Sequence, residues 1–148
     1  MTLLNIANED MTFEFTNPPT GIPPTIPPDA SPPVLDPGID LVKIVPTLST
    51  KCKADGSRIG TTGVTLTWSL ATESPCPFTS VLYEFIAGAG SVTPSAIKTK
   101  AESQLVLREG DVGTCRGSWI QIASPFATVY CSCKVELIDA GQTKVKAE

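Results

Sequence analysis

The chain has 148 residues, 41% of them hydrophobic, with 14 prolines, 11 glycines, no histidine and a formal charge of −4. That length and apolar content suit one domain burying about 70% of its unfolded surface. The acidic balance argues against nucleic-acid binding, which needs a clustered basic face, and no stretch approaches the roughly 20 apolar residues of a membrane span.

The first ten residues lack the basic start and apolar run of a signal peptide, which predicts synthesis in the cytoplasm without a leader. Met11-Thr12-Phe13-Glu14-Phe15 alternates like a short strand. From Asn17 to Pro37 the chain is dense in proline doublets, which fix φ and remove hydrogen-bond donors, so an extended segment is expected. Ile22, Ile26, Val34 and Leu35 lie among those prolines, as in a segment laid along a surface, its own or a partner's.

Short strands are predicted from Ile39 onward. They are Ile39–Val45, Val64–Leu70, Gln104–Arg108, Trp119–Ile122 and Cys133–Ile138, with Val81–Ile86 as a strand or a turn or two of helix. Asp55-Gly56, Gly60, Gly63, Gly88, Gly90, Gly110, Gly113 and Gly141 punctuate them. The pattern is all-β with compact turns.

Lys-x-Lys-Ala-acid occurs three times, at Lys51–Asp55, Lys98–Glu102 and Lys144–Glu148, starting 47 and then 46 residues apart, and it holds six of the eight lysines. A fixed period of this size marks stacked or rotationally arranged units. In an extended copy the two lysines share one face, and Cys52/Ala54, Thr99/Ala101 and Val145/Ala147 share the other. Three such small faces can meet about one axis. The expected body has internal pseudo-threefold symmetry and suits a threefold partner.

The absence of histidine removes Ser-His and Cys-His nucleophiles and all His-based metal sites. There is no nucleophile elbow, phosphate loop or complete dinucleotide fingerprint. Glu109 and Asp111 form a carboxylate pair of a kind common on surfaces, so the chain is not expected to be an enzyme. The cysteines are the exception. Cys131 and Cys133 share a strand face, and Cys76 and Cys115 sit in turn-like contexts. Together these four thiolates would make a tetrahedral site for zinc or iron, with buried thiols and disulfides as the alternatives. Cys52 is assigned to the core.

Thr93–Lys100 followed by Gln104–Cys115, with Arg108-Glu109-Gly110-Asp111 and then Thr114-Cys115, resembles the Pro-Ala-Ala-Arg (PAAR) repeat proteins. The resemblance spans about residues 48–148 and is strong over 93–115. It implies a small conical PAAR-like fold over 48–148 that follows an extended Pro-rich arm or base segment over 1–47, all within a single domain. It further implies a spike tip that caps the trimeric spike of a contractile injection or phage tail-like particle, one copy per trimer. Such a tip would touch a target membrane transiently and carry effector cargo. The family's metal lies near the apex, held by histidines with a cysteine. Only Cys115 carries over, since this chain has neither histidine nor the Pro-Ala-Ala-Arg tetrapeptide. The competing expectation is a capsid decoration or cement protein, which is also small, β-rich and equipped with an extended arm.

Overall fold

The computed structural model describes residues 3–21, 35, 42–68, 73–76, 81–121 and 128–148, and these form strands without a helix. In chain order the strands are β1 (Leu4–Asn5), β2 (Thr12–Asn17), β3 (Val42–Ala54), β4 (Ser57–Trp68), β5 (Glu73–Cys76) and β6 (Val81–Ile86). They continue with β7 (Ala89–Thr93), β8 (Lys100–Ala101), β9 (Gln104–Leu105), β10 (Val112–Gln121), β11 (Thr128–Asp139) and β12 (Lys146–Ala147). The segment 81–86, open between strand and helix in the sequence, is a strand.

The main sheet is antiparallel and runs β2-β11-β10-β7-β4-β3. One edge of β10 is shared, with β7 along Val112–Cys115 and β6 along Ser118–Gln121, and β5 pairs with β6. Ala87-Gly88 joins β6 to β7. A Cβ at Gly88 would collide with the carbonyl of Arg116, so only glycine lets the two backbones approach there. Pro46 lies on edge strand β3 next to a register shift, the kind of place in a sheet where proline is accommodated.

Alternation sets the core. Cys131, Cys133, Val135 and Leu137 of β11 and Cys115 and Trp119 of β10 point inward, to meet Val64, Leu66, Phe85 and Val92. Phe85 and Trp119 pack edge to face, with ring centroids 5.3 Å apart. The sheet curls into a half-barrel, and its two edges flank a groove of about 610 Å³ lined by Met11–Phe15 and Val42–Ile44.

Leu4-Asn5 pairs with Ala147 and Lys146, and Thr12–Asn17 pairs with β11, so residues 4–17 are part of the folded body. Their alternating apolar residues provide a face to bury, and Ile6, Ala7 and Met11 are core residues. Within the Pro-rich stretch Leu35 is buried and exchanges two backbone hydrogen bonds with Gly21, of 2.9 and 2.7 Å. Ile22, Ile26, Val34 and the predicted strand residues Ile39–Leu41, Ser69-Leu70 and Ile122 lie outside the described residues.

Candidate functional site: the hairpin ring and the cysteine face

Each Lys-x-Lys-Ala copy ends in a two-stranded pairing of the same register. Lys53 and Ala54 oppose Arg58 and Ser57, and Lys100 and Ala101 oppose Leu105 and Gln104. Lys146 and Ala147 oppose Asn5 and Leu4. The first two turn through left-handed pairs, Asp55-Gly56 (φ 52° and 83°) and Glu102-Ser103 (φ 50° and 71°), as tight hairpins require. In the third, the partner strand comes from the opposite end of the chain.

Beyond these pairings three tripeptides meet: Ile6-Ala7-Asn8, Ile59-Gly60-Thr61 and Val106-Leu107-Arg108. Their bridges run in a cycle, Ile6 with Arg108, Val106 with Thr61, and Ile59 with Asn8. The central residues close a ring of backbone hydrogen bonds. Ala7 N donates to Leu107 O (2.8 Å), Leu107 N to Gly60 O (3.0 Å), and Gly60 N to Ala7 O (2.9 Å). Ile6, Ile59 and Val106 bury together with Ala54, Ala101 and Ala147 in a small core separate from the main one, with Ala96 added and Cys52 packed against it. All six repeat lysines are exposed.

Side chains also stitch neighbouring units, with donors running in the opposite cyclic sense to the ring amides. Asn8 Nδ2 donates to Ala54 O (3.1 Å) and Arg108 Nη1 to Ala147 O (2.8 Å), each reaching the alanine of the next copy. Thr61, at the corresponding position, is too short for this, and its hydroxyl lies 3.4 Å from Thr47 O. The acids that end the copies also reach across. Glu102 accepts from Thr50 Oγ1 (2.6 Å), Thr50 N (3.1 Å) and Lys51 N (3.0 Å). Glu148 O accepts from Ile97 N (3.1 Å), and Asp55 pairs with Lys144 Nζ at 3.2 Å. The Thr50 hydroxyl and amide hold the Glu102 carboxyl below its ordinary range, and the Arg58 amide does the same for Glu9.

Arg108 and Asp111, in the stretch that resembles the PAAR proteins, are both buried. Asp111 Oδ2 accepts from Arg108 N (2.8 Å), and its Oδ1 accepts from the Ser95 amide (3.2 Å) and hydroxyl. Arg108 Nη2 donates to Ser95 O at 2.8 Å. Glu109 accepts from Asn5 Nδ2 at 3.0 Å, so the two carboxylates hold different elements in place instead of facing one another. Sequence reasoning missed Asn8, Arg108 and Gln142 as the polar residues that fasten this end. Gln142 is buried and donates to Ile6 O (2.6 Å) and Val145 O (2.8 Å). The available signal was the likeness of Ile6-Ala7-Asn8-Glu9 to Val106-Leu107-Arg108-Glu109.

Cys115, Cys131 and Cys133 belong to the main core, away from the alanine cluster. Cys115 and Cys133 are directly opposed on β10 and β11, and the Cys133 thiol lies 3.5 Å from Cys115 O. Cys131 opposes Gly117 and faces the same way. Burial pushes the Cys131 thiol up to about 11. The Cys133 S–H donates towards Cys115, which lowers the Cys115 pKa and raises that of Cys133. The Cys76 side chain lies outside the described residues, and among the described residues no three metal-ligating side chains converge. No family model, curated protein or solved structure matches the chain.

Proposed function

We propose that this protein is a structural cap, one copy of which seats on the threefold end of a trimeric spike and sharpens it for membrane piercing. In this reading the body has three quasi-equivalent units, entered by β3/β4, by β7–β10 and by β11 continuing through β12 and β1 into β2. The observation that carries it is the closed ring of Ala7, Gly60 and Leu107, in which three stretches distant in sequence make the same hydrogen bond to the next. The three matched hairpin registers and the cyclic contacts made by the Glu102 and Asp55 carboxylates and the Glu148 backbone carbonyl support it further. A single chain built this way presents three similar surfaces to three identical subunits, which resolves the mismatch between one copy and a trimer. The PAAR-like stretch over 93–115 directs the reading to contractile injection particles, assembled from cytoplasmic components and delivered outwards. The role is mechanical: the small alanine core lets the strands converge, and packed antiparallel strands transmit load.

Native mass spectrometry of the full chain, alone and with a trimeric spike protein of a contractile injection particle, tests this. A monomer that binds one copy per trimer is the expected result. A chain that trimerises by itself and ignores the spike would overturn it in favour of a capsid cement protein, which has no use for internal threefold matching.

A further inference from the structure

We propose that Cys115 and Cys133 are a redox-responsive pair that closes to a cross-strand disulfide on exposure to a peroxide. The ladder places them. Leu137 N donates to Asp111 O at 2.9 Å, which marks that opposed pair as hydrogen-bonded. Opposed pairs alternate in type along an antiparallel ladder, so Gly113/Val135 and then Cys115/Cys133 are hydrogen-bonded as well. Such pairs hold their Cα atoms about 5.5 Å apart, within the roughly 4.4–6.8 Å that a disulfide spans. Both side chains project into the core at 0% exposure, so neither must turn through the sheet to meet the other. Cys131 is two residues along the same face, but it opposes Gly117 and has no thiol across the ladder.

The chemistry needs one hydrogen peroxide, small enough to enter during a local opening of the sheet. The Cys115 sulfur attacks one peroxide oxygen and the O–O bond breaks. Hydroxide leaves and takes up the Cys115 proton as water, so Cys115 becomes a sulfenic acid. The Cys133 sulfur then attacks the Cys115 sulfur. An S–S bond forms, the S–O bond breaks, and hydroxide leaves with the Cys133 proton as a second water. Two thiols lose two electrons, and the peroxide gains them. The bond would lock the neighbouring strands β10 and β11 together. The proposal is independent of the spike reading.

The test treats the reduced full-length chain with hydrogen peroxide, alkylates it in denaturant and maps the peptides. The expected result is one link between Cys115 and Cys133 and three alkylated cysteines of the five. The unfolding midpoint should rise by roughly 5 °C and fall back on reduction. Cys133→Ser should lose both the link and the gain, and Cys131→Ser should keep both. The proposal is overturned by five alkylated cysteines, by a link through Cys131, or by a link between two chains. Persistence of the link in Cys131→Ser keeps the test decisive if Cys133→Ser does not fold.

Discussion

Arg108 illustrates how much one buried side chain can hold. It donates to the backbone of Ala147 and Ser95, and its own amide is held by Asp111. Truncation would remove the charged donor from the buried Ala147 carbonyl and from the part-buried Ser95 carbonyl, and charged hydrogen bonds are the more costly ones to lose. Arg108→Ala is expected to destabilise by about 2–4 kcal/mol in urea unfolding, and Arg108→Lys to recover only part of this, because one ammonium cannot reproduce the fork. Glu102 makes a pH prediction of known sign. The Thr50 hydroxyl and amide lower its folded pKa below the ordinary glutamate value, so its contribution is present above that ordinary value and is lost as pH falls through the lower folded one. Wild type should therefore unfold at higher denaturant than Glu102→Gln at neutral pH, with the difference vanishing in acid. A pH-independent gap would refute the role given to Thr50.

At the scale of elements, the repeat is a device for convergence. Ala54, Ala101 and Ala147 are 0, 1 and 5% exposed in the same small core, while the lysines beside them face water. Interiors at crystal-like density accept no added methylenes without strain. Leucine at any of the three alanines is expected to cost about 1–3 kcal/mol, with similar values at all three, by thermal or chemical unfolding. Glutamine at Lys53, Lys100 or Lys146 should stay within about 0.5 kcal/mol, as solvated surface changes do. A large spread among the alanines would argue against equivalence of the hairpins. The individual strands were legible beforehand because alternation is a local signal. Val64–Trp68 and Cys133–Ile138 announce their inward residues in the sequence itself, whereas a run such as Val81–Ile86 lacks clean alternation and needed the β10 edge to become a strand.

At the scale of the molecule, the ends of the described chain are structural. Ala7 takes part in two of the three ring hydrogen bonds, and Leu4-Asn5 is the partner of the third repeat. Deleting residues 1–10 is expected to abolish the cooperative unfolding transition, read by circular dichroism against denaturant. A segment that were only an arm could be removed with the transition intact. The same closure gives the third Lys-x-Lys-Ala copy a partner strand from the opposite end of the described chain. Its continuation is supplied by Leu4–Asn8.

The sequence by itself determined the all-β character, the face on which each repeat lysine and alanine falls, and the shared face of Cys131 and Cys133. All of these follow from a two-residue period that any extended chain obeys. Only the tertiary structure decided that Leu4 lies beside Ala147, that Asn8 and Arg108 cap alanines of neighbouring copies, and that Cys115 stands opposite Cys133 while Cys131 faces Gly117. Those are matters of register between distant strands. Register depends on which buried faces fit together across the whole sheet, and a one-residue slip that reverses every face leaves no trace in the local pattern of either strand.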